Sequence, residues 1–360
     1  MFRKKKITDD RYTLKLLVMR FSAMGDVAMT VPIVKALAIS RPDVLIYVAS
    51  RPFAKAFYEG LAPNIVFLPI DLKASRYKGI AGLEHLYRDL ANLSPDVVAD
   101  LHDVLRTKYV SMRFMLAGIP VSTIKKYRKE RKLLTKGKIN NITSVFTRYA
   151  DVFENIGFIL PSLFDYANTE PTLNMKGYEP QCDSSLLEIV KNNSAIGIAP
   201  FAAHKGKIYP LEKMEKVIAL LRAEYPSYPI LLFGAGKKEE EVFKKWCEKF
   251  TNVHYASRLC KSLRDEIFIM QHLSCLISMD SANMHLASLV NTKVVSVWGA
   301  THTGAGFLGW QQTYDDVVEA NLPCRPCSIY GNKACQFGDY PCLNAISPEA
   351  IVEKVGNHLV

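Results

Sequence analysis

The sequence predicts an α/β protein built from two consecutive Rossmann-like domains with parallel sheets. Short apolar runs alternate with segments of helical period in two separate series, which is the pattern of parallel strands joined by crossover helices. A polar, proline-containing stretch at about residues 162–193 separates the two series. With 360 residues, of which 49% are hydrophobic, the chain is long enough for two domains that each bury a core.

The first series predicts four strands with three helices between them. The predicted strands are Leu14–Met19, Val44–Ala49, Ile65–Leu68 and Val97–Asp100. The predicted helices are Val31–Ile39, Phe53–Tyr58 and Leu83–Leu93.

The second series repeats this alternation. Its predicted strands are Ala195–Pro200, Ile230–Phe233, Val253–Tyr255, Cys275–Met279 and Val294–Gly299, and its predicted helices are Leu211–Tyr225, Lys238–Phe250, Leu263–Gln271 and Ala282–Leu289. We therefore predict one domain at residues 1–175 and a second at residues 176–360, facing each other across a cleft. Ligands of such sheets bind beyond the carboxyl ends of the strands, so function is expected in the loops there.

The net charge of +11 is concentrated in the first part of the chain. Residues 1–150 contain 27 Lys and Arg against 12 Asp and Glu, with a dense cluster at Lys125–Lys138. This distribution predicts an anionic partner, either nucleic acid, an acidic membrane surface or a phosphorylated substrate, and a solvated loop is the alternative. The sequence has no uncharged apolar run of transmembrane length and begins with a basic tail rather than a signal peptide, so we expect a cytoplasmic protein.

Loops that suit a phosphate follow several of the predicted strands. Ser22–Asp26 holds one glycine and one aspartate, where a phosphate-binding turn would usually have several glycines. In the second series the corresponding stretches are His204–Lys207, Gly234–Gly236, Asp280–Ser281 before a helix that carries His285, and the loop that contains Thr301. Helix caps, a core histidine and solvent-facing lysines would explain each stretch singly. Together they indicate a nucleotide-like ligand in the C-terminal half.

These stretches resemble a known family. The ordered set RFSAMGDVAMTVPIVKAL, DLHDVLRTKYVSMRFMLAGIP, KGKIYPLEKM, LLFGAGKKEEE and MDSANMHLASLVNTKVVSVWGATHTG is similar to the ADP-heptose:lipopolysaccharide heptosyltransferases, glycosyltransferase family nine. The resemblance extends from about Leu14 to Thr303, and its most specific parts are the GDV turn and the block DSANMHLA. It implies the GT-B architecture, with the donor bound mainly by the second domain.

The resemblance implies a role for each matching residue. Asp26 would be the general base of an inverting, metal-independent transfer, and capping of the following helix is the alternative. Lys207 would contact the donor diphosphate. The other donor-binding candidates are Lys205, Gly234, Gly236, Asp280, Ser281, Ala282, His285 and Thr301, and the acceptor-binding candidates are Ser22, Gly25, Arg106, Lys108, Lys125, Lys126 and Arg128.

Two positions depart from the family pattern. Ala282 stands where many members have glycine, which keeps a small side chain but limits backbone freedom. Gly236 stands where several members carry a glutamate that contacts the ribose of the nucleoside. The second departure leaves the identity of the nucleotide open.

Four of the eight cysteines lie close together near the end of the chain. Cys324, Cys327, Cys335 and Cys342 have the spacing C-x2-C-x7-C-x6-C, and the first pair has the spacing of zinc ligands. A reducing compartment makes disulfides improbable, so a structural zinc site or a set of reduced thiols is expected. No catalytic metal is expected, because no set of His and carboxylate ligands accompanies the cysteines.

The sequence therefore predicts a transferase that moves a heptose, or a similar sugar, from a nucleotide-sugar to an anionic glycolipid of lipopolysaccharide core or lipid A type. ADP-heptose is the first choice of donor, no cofactor is required for catalysis, and the enzyme would act at the inner face of the inner membrane. A transferase of another nucleotide-sugar in surface polysaccharide synthesis is one alternative. The other is a non-catalytic nucleic-acid-binding protein, for which the chain lacks a recognised motif.

Overall fold

The described residues divide into two compact units. The computed structural model describes residues 11–160, 171–191 and 194–359. One unit comprises residues 11–126 and 145–160, and the other comprises the remainder. Part of the predicted boundary stretch, at residues 161–170 and 192–193, lies outside the described residues.

The first unit contains a five-stranded sheet in which all neighbouring strands are parallel. Its strands are β1 (Leu14–Met19), β2 (Val44–Ser50), β3 (Ile65–Pro69), β4 (Val97–Asp100) and β5 (Val121–Thr123). The spatial order is β3-β2-β1-β4-β5, so the chain runs outward from β1 and then returns to place β4 beside it. Every residue of β2 and β4 is buried, as expected for parallel strands covered on both faces.

Helices cover both faces of this sheet. In chain order the first seven helices are α1 (Met24–Ala28), α2 (Val31–Ser40), α3 (Lys55–Tyr58), α4 (Gly79–Ala91), α5 (Leu105–Leu116), α6 (Arg128–Leu134) and α7 (Val145–Glu154). In the first unit α2 packs with α7, and α4 packs with α5. Leu17, Met19, Val98 and Phe114 belong to the buried core between the sheet and α4 and α5.

The second unit contains a six-stranded parallel sheet. Its strands are β6 (Ala195–Ala199), β7 (Ile230–Leu232), β8 (Val253–Tyr255), β9 (Leu273–Met279), β10 (Lys293–Trp298) and β11 (Val317–Glu319), in the spatial order β11-β10-β9-β6-β7-β8. Its helices are α8 (Ser184–Val190), α9 (Leu211–Glu224), α10 (Lys237–Lys249), α11 (Ala256–Leu259), α12 (Leu263–Gln271), α13 (Ala282–Leu289), α14 (Pro341–Asn344) and α15 (Pro348–Gly356). Among the described residues, no helix combines the length and apolar character needed to cross a bilayer.

The basic segment at residues 127–144 is part of the second unit. The predicted domain limits of 1–175 and 176–360 assign it to the first and therefore need correction there. The main boundary also lies near residue 170 rather than 175. Sequence composition cannot reveal this, because the segment is joined on both sides to the first unit and is recruited by tertiary contacts.

Those contacts combine a backbone hydrogen bond with aromatic packing. The N–H of Ile142 donates to the carbonyl of Gly304 at 2.8 Å. The Arg131 guanidinium lies 5.8 Å from the ring centre of Phe307 and 5.4 Å from that of Tyr330, whose hydroxyl it also contacts. Cations over aromatic faces are attracted by the ring quadrupole, so the segment is held by more than its charge.

We predict that Gly304→Ala loosens this segment. A Cβ atom on Gly304 would lie 2.1 Å from the carbonyl oxygen of Asn140, so the backbone of the segment has to move away. The variant should be cleaved faster by trypsin at the Lys and Arg residues of 127–144, as measured by limited proteolysis and mass spectrometry.

Gly309→Ala is the matched control. Its Cβ atom would lie 2.3 Å from the Ser288 hydroxyl, in the same unit but against a different element. Both variants should melt at a lower temperature, and only Gly304→Ala should expose the segment to trypsin. Equal cleavage of the two variants would contradict the packing described here.

Candidate active site

Asp26 lies in α1, the short helix that follows the carboxyl end of β1. Its Oδ2 atom forms an ion pair with the Arg20 guanidinium at 2.9 Å and accepts the N–H of Ala23 at 3.1 Å. The alternative, in which Asp26 caps a helix that begins after it, is therefore wrong in its position: the helix begins at Met24, and Asp26 lies in its first turn and bonds back to the N-cap residue Ala23. Arg20 also donates to the carbonyl of Leu101 at 2.6 Å, which ties the β1 end to the β4 end. The carboxylate is held in a fixed orientation by these contacts.

His102, at the end of β4, is a site residue that the sequence analysis did not single out. Its Nε2 atom lies 3.2 Å from the Ser22 hydroxyl, and its side chain is buried. Burial lowers the pKa of His102 to about 3, helped by the positive charges of Arg20 and Lys126, so the imidazole is neutral at neutral pH. Its Nδ1 atom has no hydrogen-bond partner among the described residues. The signal in the sequence is a histidine two residues after the strand VVAD.

The turn that carries His102 is organised by Asp100. One oxygen of this buried carboxylate accepts the N–H groups of His102 at 2.9 Å and Asp103 at 3.0 Å. Burial raises the pKa of Asp100, against these hydrogen bonds. Asp100 therefore positions the imidazole through the backbone.

The predicted acceptor-binding residues are distributed unevenly. Arg106 donates to the carbonyl of Tyr77 at 2.9 Å. Lys108 and Lys126 both pair with the Asp103 carboxylate, at 3.3 and 3.7 Å.

The other acceptor-binding candidates do not all lie in the first unit. Gly25 lies in α1 beside Asp26, and Lys125 is exposed just before residue 127, where the first unit is interrupted. Arg128 belongs to the second unit. Ser22, Gly25 and Lys126 thus lie near Asp26 and His102, and Arg128 is not part of that group.

The second unit brings Lys207 and Asp280 together from adjacent strands. Lys207 follows β6 in a short 3₁₀ turn, Asp280 follows β9, and their side chains form an ion pair at 2.9 Å. The carboxylate is 7% exposed and the ammonium 16%, so the pair is largely shielded from water. Lys205, two residues earlier, is exposed. Lys207 is thus fixed by a charge partner, whereas no ion pair of Lys205 is found in the part of the chain that the structure describes.

The loop that contains Thr301 lies against the turn that contains Lys207. The N–H of Ala300 donates to the carbonyl of Gly206 at 2.8 Å, which joins the loop after β10 to the turn that contains Lys207. Thr301 is buried, and its hydroxyl has no hydrogen-bond partner among the described residues. A buried hydroxyl without a partner costs free energy, which a polar ligand at the same place would recover.

Arg325 contacts the loop that follows β10. Its side chain is almost fully buried and pairs with the Glu319 carboxylate at 2.7 Å. The same guanidinium donates to the backbone carbonyls of Trp298, Gly299, Thr301 and Ala320. The cysteine-rich part of the chain therefore supports the Lys207 turn, a role that no motif in the sequence indicates.

Gly234 and Gly236 form the turn between β7 and α10. Gly236 has φ of +130°, a conformation that a residue with a Cβ atom rarely adopts, so a glutamate would be strained at this position. Glu239, in the first turn of α10, directs its carboxylate back to Gly234 and accepts a backbone hydrogen bond from Ala235. Burial raises the pKa of Glu239. The carboxylate at this turn thus comes from Glu239, three residues after Gly236.

The start of α13 carries the remaining predicted donor residues. Ser281 occupies the N-cap position, but its hydroxyl makes no capping bond to the helix and lies 3.3 Å from the Ser278 hydroxyl instead. Ala282 begins the eight-residue helix, and His285 is buried within it. The first N–H groups of α13 are therefore not capped by Ser281, which suits an anionic ligand.

The four clustered cysteines are free thiols. Burial raises the pKa of Cys327 and of Cys342, and the neighbouring cysteines add to both shifts. Within the described part of the chain, no three His, Cys, Asp or Glu side chains are arranged to hold a metal ion. The structural zinc site predicted for Cys324, Cys327, Cys335 and Cys342 stays a prediction.

The chain is similar to known proteins along most of its length. The family model described as glycosyltransferase family 9 (heptosyltransferase) matches residues 85–337, more than half of the chain. Lipopolysaccharide heptosyltransferase 1 of Campylobacter coli is 25% identical over 357 residues, which cover 95% of this chain and 98% of that protein. Lipooligosaccharide heptosyltransferase 2 of Campylobacter jejuni subsp. jejuni serotype O:2 is 29% identical over 137 residues, 37% of this chain and 41% of that protein.

Solved structures share the fold. The structure of E. coli heptosyltransferase WaaC with ADP has a TM-score of 0.65 and 15% identity, and the match covers 96% of this chain and 100% of that one. The glycosyltransferase family 9 protein of Veillonella parvula DSM 2008 has a TM-score of 0.68 and 18% identity, with 96% and 97% covered. The likeness confirms the predicted GT-B fold of two parallel-sheet α/β domains.

We predict that His102 makes the protein less stable in mild acid. The folded-state pKa of about 3 lies below the ordinary value of 6.5, so the unfolded chain binds more protons as the pH falls through 6.5. Between about pH 7.5 and about pH 5 this one residue should lower the free energy of unfolding by about 2 kcal/mol. Urea unfolding at the two pH values measures the effect.

His102→Gln is the informative variant, because glutamine can still contact Ser22 but does not titrate. Its loss of stability between the two pH values should be smaller than that of the wild type by the same amount. A loss as large as in the wild type would show that His102 is protonated in the folded protein and is not buried as described.

Proposed function

The chain belongs to glycosyltransferase family 9, the heptosyltransferase family, and we propose that it transfers a heptose from ADP-heptose to the lipopolysaccharide core with inversion and without a metal ion. The structural observation that carries the proposal is Asp26, a carboxylate in the helix after β1 whose Oδ2 atom forms an ion pair with Arg20. The match along almost the whole length of the Campylobacter coli enzyme supports the substrate class.

In the proposed reaction an acceptor hydroxyl oxygen attacks the anomeric carbon of the donor. The bond from that carbon to the diphosphate oxygen breaks, the hydroxyl proton passes to Asp26, and the single displacement inverts the anomeric centre. Arg20 and the N–H of Ala23 both contact Oδ2, and the other oxygen, Oδ1, would receive the proton. His102 and Ser22 would bind the acceptor sugar beside it through neutral hydrogen bonds.

The departing nucleoside diphosphate would be stabilised by Lys207 and by the N–H groups at the start of α13. A cation and a helix N-terminus placed where negative charge develops lower the barrier without a proton transfer. The Thr301 hydroxyl, buried in the adjacent loop, would donate to the same group. Metal-independent transfer is proposed because these groups supply the positive charge that a divalent ion supplies in other transferases.

ADP is the proposed nucleotide, with Glu239 in contact with the ribose. The Glu239 carboxylate lies at the turn of Gly234, at the end of β7, where a ribose hydroxyl could donate to it. The structure of the E. coli heptosyltransferase with ADP, which shares this fold, supports adenine as the base. Another nucleotide-sugar of surface polysaccharide synthesis is the alternative that the departure at Gly236 leaves open.

An anionic glycolipid is the proposed acceptor, reached at the cytoplasmic face of the inner membrane. The first unit carries 17 Lys and Arg against 11 Asp and Glu in its described residues, which suits phosphate and carboxylate groups. Membership of an enzyme family leaves the non-catalytic nucleic-acid-binding interpretation without support.

We predict that Asp26→Asn lowers kcat by about 10²- to 10⁴-fold, the usual contribution of a general base. The binding of ADP should not change, because Asp26 does not lie among the residues proposed to bind the donor. Transfer of heptose to a defined lipopolysaccharide acceptor measures the first quantity, and calorimetric titration with ADP measures the second.

Asp43→Asn is the matched control. Asp43 forms the same kind of ion pair, with Arg41 at 2.8 Å. It lies just before β2, at the amino ends of the strands, whereas Asp26 follows the carboxyl end of β1. This variant should keep kcat within a few-fold of the wild type. Full activity of Asp26→Asn would exclude the proposed base.

We predict that ADP raises the melting temperature of the wild type and of Lys205→Ala, and that Lys207→Ala loses most of this shift. Lys205 is exposed and two residues away, so the two variants remove the same charge from different places. Lys207→Ala should also melt lower without ligand, because Asp280 is left buried without its partner. Each shift is therefore measured against the variant's own melting temperature.

The same assay decides the nucleotide. In the wild type, 2′-deoxy-ADP should stabilise less than ADP, and Glu239→Gln should reduce this difference. If GDP, UDP or CDP raised the melting temperature more than ADP, the proposed transferase activity would stand, and the proposed donor nucleotide would be wrong. No shift with any of the four would overturn the proposed donor site.

A further inference from the structure

The outward face of α5 is apolar, which is unusual for a helix on the surface of a protein. Five of its twelve side chains are exposed. They lie at positions 105, 108, 112, 115 and 116, so that each of the last two is three or four residues from position 112 and the five share one face of the helix. Four of the five are apolar, and their exposed fractions are 81% for Leu105, 43% for Met112, 55% for Met115 and 76% for Leu116. The fifth is Lys108.

The first turn of α4 extends this apolar face. Arg106 of α5 donates to the carbonyl of Tyr77, and Glu84 of α4 accepts from Tyr109 of α5 at 2.9 Å, so the two helices run side by side from their first turns. Ile80 lies one turn before Glu84 and is 84% exposed. Ile80, Leu105, Lys108, Met112, Met115 and Leu116 are called the α5 surface below.

Two lysines border the α5 surface near the start of α4. Lys73 and Lys78 are exposed there, and neither is in an ion pair within the described residues. Of the nearby carboxylates, Glu84 and Asp103 are paired with Lys or Arg side chains, and Asp71 accepts the backbone N–H of Lys73 at 3.0 Å. The helix itself contains no acidic residue. An apolar face bordered by unpaired lysines is complementary to a layer that has anionic groups outside and hydrocarbon below.

We propose that the α5 surface rests on the anionic surface of a phospholipid bilayer. The five apolar side chains would enter the interfacial layer, and Lys73 and Lys78 would face the phosphate groups. Such binding is peripheral and reversible, since no helix of the described chain crosses a bilayer. A second copy of the chain would also bury apolar residues, but the lysines of two copies would then meet each other.

The inference builds on the proposed function, because a lipid-linked acceptor lies in such a surface. It can be tested separately from that function, since binding to vesicles is measured without donor or acceptor. Failure of the wild type to transfer heptose would count against the proposed function alone.

The test is flotation of the full chain with vesicles of phosphatidylethanolamine and phosphatidylglycerol. The double variant Leu105→Gln/Leu116→Gln removes apolar contact from two exposed positions and should bind about ten-fold more weakly than the wild type. Its transfer to a water-soluble, deacylated acceptor should be unchanged. Binding of the wild type should weaken with added salt and be weaker on phosphatidylcholine vesicles, because the lysines lose their partners.

The matched control is Ile39→Gln/Ile159→Gln, two exposed apolar residues of the same unit at the end of α2 and after α7. The contact of Arg41 with the Phe158 ring shows that these two chain ends are close together, away from α4 and α5. This control should bind vesicles like the wild type.

Two results would overturn the inference. One is equal binding of the wild type and Leu105→Gln/Leu116→Gln, or no binding of either. The other is a wild type that dimerises through the α5 surface in analytical ultracentrifugation, becomes monomeric in this double variant and does not bind vesicles.

Discussion

Two pairs of adjacent parallel strands determine where this protein can do chemistry. In the first unit the chain returns to place β4 beside β1, and in the second it returns to place β9 beside β6. At such points the loops leave the sheet in opposite directions and open a space for a ligand. Ser22 meets His102 across 80 positions of sequence at the first point, and Lys207 meets Asp280 at the second. Both proposed sites therefore follow from strand order.

The charged residues at these points are stabilised in pairs. An isolated charge shielded from water is costly, and it becomes tolerable when an opposite charge lies within hydrogen-bond distance. Arg20 is the opposite charge beside Asp26, and Asp280 is the opposite charge beside Lys207. Each pair fixes a group to which a reactive or binding role is proposed. The same contacts that stabilise the fold would thus supply the preorganisation that catalysis needs.

The sequence predicts the parallel sheets and the strand-end motifs because both are local patterns. Asp26 and Lys207 were found in this way, and both lie at strand ends as expected. His102 and Glu239 were missed, since a histidine after a strand and an acidic residue in the first turn of a helix are ordinary features until their neighbours are known. The basic segment at 127–144 was assigned to the wrong unit for the same reason, because its contacts with Phe307 and Tyr330 are tertiary.

The cysteine-rich part of the chain also shapes the proposed donor site. Arg325 binds four backbone carbonyls around the end of β10, and Gly331 leaves room for the aliphatic part of Lys207, since a Cβ atom there would lie 2.5 Å from it. Lys207 is thus confined on one side by Asp280 and on the other by a segment more than a hundred residues later in the chain. Substitutions in this segment would shift the lysine without touching any motif residue, so the motifs alone do not define the site.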